Sequence, residues 1–160
     1  MEEKITTKKL LTNTMSYFRF DRQWFCVDEC LEKDILVKTN TGILEVELKI
    51  SKSDLIQGEK RKAKKHSKYK NLECIKDWAK IYYPNKFAFC VPEFLEKDAL
   101  NLIEELNNNY GLYLLINGTS RIVTKKTPKN LHNKEPKHLI EAMYMRASSS
   151  IINKLEGRGI

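Results

Sequence analysis

Hydrophobic and polar positions alternate along this chain with two different periods. Leu10, Leu11, Met15 and Phe18 recur at helical spacing, so residues 6–20 are predicted to form an amphipathic helix. Residues 23–31, QWFCVDECL, are aromatic and β-prone and predict a strand. DILVKT (34–39) and ILEVELKI (43–50) flank Asn40-Thr41-Gly42, and two β-rich runs around a short glycine-containing loop predict a hairpin. Ser51-Lys52-Ser53-Asp54 then supplies helix N-cap chemistry. The helix it opens is expected to run to about residue 80, with one break near Lys70-Asn71.

Pro84-Asn85 ends that region. KFAFCVP (86–92) is a continuous apolar β-type run. Phe94, Leu95, Leu100, Ile103 and Leu106 predict a helix over 93–108. GLYLLI (111–116), Asn117-Gly118 and RIVTKK (121–126) predict a second hairpin, because Asn-Gly suits a type I′ turn in which both central residues take positive φ. Pro136 suits the first turn of a last helix. That helix is expected to bury Ile140, Met143, Tyr144, Ala147, Ile151 and Leu155. The order α-β-β-β-α-β-α-β-β-α predicts one α/β domain over residues 1–160, a mixed β-sheet flanked by helices.

Composition sharpens the picture. The 160 residues suffice for a core without staples, and 41% apolar with 31% charged residues indicate a globular chain. No stretch reaches the roughly 18 apolar residues of a membrane span. The start, MEEKITTKKLL, has no signal-peptide run, so a cytoplasmic location is expected. Cys26, Cys30, Cys74 and Cys90 form no Cys-x-x-Cys pair, and with His66, His132 and His138 they make no zinc spacing; they are expected to be reduced thiols. The net charge of +8 points to a polyanionic partner.

The run 43–50 carries the candidate chemistry. Side chains alternate across a strand, so Leu44, Val46, Leu48 and Ile50 face one way and Glu45, Glu47 and Lys49 the other. Asp34 opens the partner strand and can lie near the same spot. Hydrolysis of a phosphodiester needs a divalent metal, an activated water and neutralisation of transition-state charge. Two carboxylates suffice for a hard cation that keeps several waters. A nearby lysine can orient the water and stabilise the phosphate. The plain alternative is the solvated face of an amphipathic strand.

The run Asp34-ILVKTNTGIL-Glu45-V-Glu47-L-Lys49-ISKSDL resembles the PD-(D/E)XK, or restriction-endonuclease-like, nuclease superfamily, and within it the MmcB-type DNA-repair and phage nuclease relatives. The later segments PNKFAFCVP and YGLYLLING are similar to the same group, so the resemblance spans roughly residues 20–130. It implies a restriction-endonuclease-like fold, with an α-β-β-β-α-β core followed by a hairpin and a helix. It also implies a nuclease that cuts DNA to 5′-phosphate and 3′-hydroxyl ends in repair, recombination or mobile-element processing. Asp34 and Glu47 match the metal-binding acids, for Mg²⁺ with Mn²⁺ as a substitute, and Lys49 matches the lysine. Glu29 sits where these relatives often carry another acid. Glu45 falls outside the motif and is expected to be a spectator. Lys33 stands where the motif has proline.

GEKRKAKKHSKYK (58–70) holds seven Lys or Arg residues. Such blocks bind phosphate backbones without reading sequence. Lys62 and Lys65 are the expected phosphate contacts. Tyr69 could stack on a base, or else pack inward. His66, in a stretch resembling a K-x-K-H-x-x-Y pattern of the relatives, could contact the scissile phosphate, or else be an exposed helix residue. A membrane surface is disfavoured because the segment lacks a wide apolar face. Three other readings stay open: a non-catalytic DNA-binding or repair accessory protein on the same fold, a module binding an acidic protein, and a ribonuclease. The last helix could also serve a homodimer, through Met143, Tyr144, Met145, Ile151 and Ile152.

Overall fold

The structure is a computed structural model describing residues 4–158. Helix α1 (Thr7–Ser16) is capped by the Thr6 hydroxyl, which accepts from the Lys9 N–H at 3.1 Å. It continues into a π-helical turn, Tyr17–Asp21. Strands β1 (Phe25–Cys30), β2 (Lys33–Thr39) and β3 (Gly42–Leu48) form an antiparallel meander. Helices α2 (Lys52–Lys60), α3 (Ala63–Lys70) and α4 (Asp77–Lys80) carry the chain to β4 (Lys86–Pro92), which pairs parallel to β3. Helix α5 (Glu96–Leu106) leads to β5 (Gly111–Leu115), parallel to β4. Strand β6 (Ile122–Lys126) pairs antiparallel to β5, and α6 (Lys137–Leu155) ends the chain. The six strands lie in chain order in one mixed sheet flanked by helices, the α/β class expected from the sequence.

Both faces of the sheet are covered. On one face α1 and the π-turn bury Leu10 and Phe18 against Ile35, Val37, Leu44 and Val46. On the other face α2, α3 and α5 pack on Phe87, Phe89, Val91, Leu112 and Leu114. Helix α6 covers the β1–β2 end of that same face with Leu139 and Met143 against Val27, Leu36 and Ile43. Strand β4, parallel to its neighbours on both sides, is buried on both faces, which is why its sequence is apolar without alternation. The polar face of β3 falls between these last two clusters, so it is not the solvent-facing side.

Several expectations need correction. The long helix over 51–80 is three helices with a 3-10 turn at Leu72–Cys74, and the first break falls at Lys62 (φ −101°, ψ 25°). That break lets α3 settle on β3. The Ser51 cap is as expected, its hydroxyl accepting from Asp54 N–H at 3.1 Å. The segment 23–39 contains a tight hairpin that its residues do not advertise. Leu31 and Glu32 take φ of 52° and 63°, the positive values a two-residue hairpin loop demands. Asn117 and Gly118 lie in a wider loop. Gly118 has φ 69° but Asn117 is not positive, and Thr119 closes the turn onto the Ile116 carbonyl at 3.1 Å.

Helix α6 fully buries Leu139 and Met143, and Ile140 and Ala147 pack half-buried against the same cluster, as expected. Tyr144 is half-exposed at the sheet edge, its ring 5.6 Å from Phe25 and its hydroxyl accepting from Lys38 at 3.1 Å, while Ile151 and Leu155 are exposed because the last turns run past the sheet. The four cysteines are free thiols, and burial pushes Cys90 up to about 12 and Cys26 to about 11. Among the described residues no helix is long and apolar enough to cross a membrane.

Candidate active site

The site grows from the alternation of β3. Glu45 and Glu47 point from the strand toward α3, and Lys49 follows on the same side; all three are buried. Burying a charge is costly unless it is paired and hydrogen-bonded. The partners come from the inward stripe of the basic segment. Lys65 donates to both glutamates, at 3.3 Å to Glu47 and more closely to Glu45. Lys62 donates closely to Glu47. The Tyr69 hydroxyl donates to Glu45 at 2.5 Å. Burial alone pushes the Glu47 carboxyl up, but Lys65 and Lys62 outweigh it and hold Glu47 below the ordinary glutamate range.

Asp34 enters from β2. Its Oδ2 accepts from the Leu48 N–H at 2.8 Å, which ties the start of β2 to the end of β3 and sets the carboxylate beside Glu47. Burial, reinforced by the Glu47 charge, raises the Asp34 pKa more than the Leu48 bond and the nearby lysines lower it.

Lys49 has three carboxylates around its ammonium: Glu59 at 3.3 Å, Glu47 at 3.6 Å and Asp54 at 3.7 Å. Gly58 makes room for it, since a Cβ there would lie 3.1 Å from the ammonium. Glu59 is wholly buried. A carboxylate only accepts, so His66 Nε2 donates to its Oε1 at 3.0 Å, and the Tyr110 hydroxyl meets His66 Nδ1 at 2.7 Å. Burial keeps the Tyr110 hydroxyl protonated and able to donate. The other oxygen of Glu59 has no hydrogen bond, only the ammoniums of Lys49 at 3.3 Å and Lys62 at 3.4 Å.

The expected residues therefore fall into two groups. Asp34, Glu47 and Lys49 come together as the sequence suggested. Glu29 does not join them: its own backbone is kinked, with φ 46°, and its exposed side chain reaches Arg146 of α6 at 3.9 Å. The four residues expected on nucleic acid, Lys62, Lys65, His66 and Tyr69, all face inward. Tyr69 and His66 are buried and fully engaged, so neither can stack on a base or touch a phosphate. Lys62 and Lys65 spend their charge on the carboxylates. The outward cations of the segment are Lys60, Arg61, Lys64, Lys68 and Lys70.

Two residues escaped the sequence reading. Glu45 is an integral partner of Lys65 and Tyr69 rather than a spectator. Glu59 went unremarked, although Leu55, Glu59, Lys62, His66 and Tyr69 follow one another at intervals of three or four, the spacing of an inward helical stripe.

The donors here are carboxylate oxygens, which suit a hard divalent cation. Asp34 and Glu47 could hold one, and the Lys62 ammonium already places positive charge between Glu47 and Glu59. Among the described residues no three carboxylate, imidazole or thiolate groups come together as a metal ligand set. A cavity of about 790 Å³, lined by Ile5, Ile50, Phe94 and Leu115 among others, contains none of these carboxylates.

No family model and no curated protein matches the chain. A solved structure, the SPO1766 protein of unknown function from Silicibacter pomeroyi, is similar with a TM-score of 0.66 and 14% identity, over 99% of this chain and 97% of that one. The likeness is one of fold. It extends over nearly the full length of both chains, so the six-stranded architecture is one that another natural protein adopts with an almost unrelated sequence.

Proposed function

We propose that this chain is a metal-dependent nuclease that hydrolyses phosphodiester bonds in DNA on a restriction-endonuclease-like fold. One observation supports the reading: Asp34, Glu47 and Lys49, the residues that match the motif, converge where the start of β2 meets the end of β3. Asp34 and Glu47 would hold Mg²⁺, which supplies Lewis-acid polarisation of the phosphate and a water of lowered pKa. Lys49, fixed by Glu59, orients the water that attacks phosphorus and offsets the charge that builds on the phosphoryl oxygens as the bond to the 3′ oxygen breaks. His66 and Tyr110 hold Glu59 in turn. Lys60, Arg61, Lys64, Lys68 and Lys70 supply the surface for the phosphate backbone.

The test is cleavage of plasmid, linear duplex and single-stranded DNA with Mg²⁺, Mn²⁺ or EDTA, by wild type, Glu47→Gln and Lys49→Ala. Metal-dependent cutting that falls by about a hundred-fold or more in both variants, with DNA binding retained, is expected. Cutting that survives Glu47→Gln sinks the assignment. A second reading, a DNA-binding accessory protein, draws on the ammoniums that already neutralise Glu47. It predicts salt-sensitive binding with no cutting under any of these conditions.

A further inference from the structure

Helix α6 carries apolar residues on two sides. Leu139, Met143 and Ala147, four residues apart, turn inward onto β1, β2 and β3. Met145, Ser148, Ile152 and Leu155, three or four apart, lie on the opposite side of the helix and are all exposed. The exposure is large: 70% for Met145, 49% for Ile152 and 82% for Leu155. Tyr144 and Ile151 flank this outward stripe along one side. Met143, which the sequence offered to a homodimer, belongs to the inward stripe, and Leu155 takes its place. Tyr144 and Ile151, Met145 and Ile152, and Ser148 and Leu155 are pairs separated by seven residues, the repeat of a helix that packs along a second helix. Single exposed apolar residues are ordinary on a protein surface, but a contiguous stripe of them marks an interaction site.

We propose that the outward stripe of α6 is a self-association surface, on which α6 of a second copy of this chain lies antiparallel. In the register centred on residue 150, Met145 meets Leu155 of the second copy and Ser148 meets its Ile152. The twofold axis repeats both contacts in reverse. Large side chains thus face small ones at the middle of the seam, which lets the helices approach closely. The Ser148 hydroxyl stays satisfied there by the carbonyl one turn back in its own helix. Charge selects both the occupant and its direction. The same register sets the exposed Glu141 of each copy beside Arg158 of the other, whereas a parallel pair would set Glu141 against Glu141. Arg158 holds Glu156 at 2.7 Å, but both are solvated, and an exposed pair of this kind contributes little that a change of partner would lose. A seam of about three turns falls short of the roughly 1,200 Å² of a standard interface, and the +8 charge on each copy opposes approach, so the dimer is weak, with a Kd on the order of 100 μM.

Sedimentation equilibrium of the full chain tests this, at about 0.3 M salt to screen the net charge and over about 10 μM to 1 mM protein. Wild type is expected to rise from the monomer mass toward the dimer mass across that range. Ile152→Gln with Leu155→Gln is expected to weaken the dimer by about ten-fold or more, since both side chains leave water only in the seam. Both are exposed in the single chain, so the variant keeps its fold, which circular dichroism checks. Glu141→Arg is expected to weaken the dimer by about five-fold, and Glu141→Arg with Arg158→Glu to restore it. Restoration by that exchange is specific to an antiparallel second copy. A chain that stays monomeric to about 1 mM overturns the proposal and leaves the stripe to a different partner. A dimer indifferent to the two glutamines, a charge exchange that fails to restore, or a mass that climbs past the dimer overturns it as well, because a closed twofold pair goes no further.

Discussion

Tyr69→Phe separates a structural role from a nucleic-acid role with the removal of one oxygen. In the structure the Tyr69 hydroxyl donates at 2.5 Å to Oε1 of a wholly buried glutamate. Burial and the Glu45 charge push the Tyr69 pKa far up, so the hydroxyl keeps the proton it donates. A hydrogen bond to a charged group contributes roughly 1.5–3 kcal/mol, and the acceptor left behind cannot recover it from water here. The ring itself loses nothing: its edge-on packing on Phe87 at 5.9 Å and Tyr83 at 6.2 Å is that of a phenylalanine. Lys65 still pairs the other Glu45 oxygen, which limits the damage. The expected loss is about 2–3 kcal/mol. For a chain of this size that lowers the melting temperature by roughly 4–12 °C. Urea unfolding gives the first number and calorimetry the second. DNA affinity measured at two salt concentrations is expected to stay within about two-fold once the folded fraction is matched. A variant of unchanged stability with clearly weakened DNA binding would refute the assignment and return Tyr69 to the base-stacking role.

The outward cations carry a separate prediction. Lys64→Gln with Lys68→Gln is expected to weaken DNA binding across sequences and to flatten the slope of log affinity against log salt by about two, one for each phosphate no longer neutralised. An unchanged slope moves the backbone surface elsewhere. Acid sensitivity follows from Glu59. Burial pushes its carboxyl up, but the His66 hydrogen bond, Lys49 and Lys62 more than reverse this and hold it at about 2 against an ordinary 4.5. A depressed carboxylate stabilises the fold above its unfolded pKa and loses that contribution as pH falls toward its folded value. Stability is therefore expected to drop between about pH 4.5 and 2, and Glu59→Gln to lose less over that window in urea titrations. Finally, the double variant Glu45→Leu with Lys65→Met exchanges a buried ion pair for apolar volume. Because the Tyr69 hydroxyl loses its acceptor and Glu47 loses one of its ammoniums, it is expected to lose about 1–3 kcal/mol in urea unfolding. A loss beyond about 3 kcal/mol would show that the pair is a net stabiliser.

How much of this was legible in the sequence depends on how many partners each feature needs. Strand β4 was readable residue for residue, because burial on both faces leaves only apolar side chains at 87–92. The alternation in β3 correctly grouped Glu45, Glu47 and Lys49, since it depends on one strand alone. What that polar face looked onto was not readable. Polar residues on a strand normally meet water, and only the docking of α3 turns this face into an interior. The lysines of 58–70 are chemically alike, so their composition could not say which two pair with glutamates. Their spacing with Leu55, Glu59, His66 and Tyr69 could have, had polar residues been admitted to an inward stripe. The Leu31-Glu32 turn left no trace because neither residue favours positive φ; the pairing of Cys30 with Lys33 imposes it. The exposed end of α6 misled for the opposite reason, since its apolar residues keep helical period with nothing to bury them.

The carboxylate–lysine cluster is hard to explain as a device for stability. It occupies the seam between two apolar clusters, where leucine and phenylalanine would bury as well and need no partners. Taking several charges out of water costs several kcal/mol per ion before pairing returns any of it. The pairing is nonetheless thorough: even the Glu59 oxygen that lacks a hydrogen bond has the Lys49 and Lys62 ammoniums at 3.3 and 3.4 Å. Charges buried at that cost and held in fixed positions, on a strand whose opposite face is wholly apolar, make β3 the first place on this fold to test for chemistry.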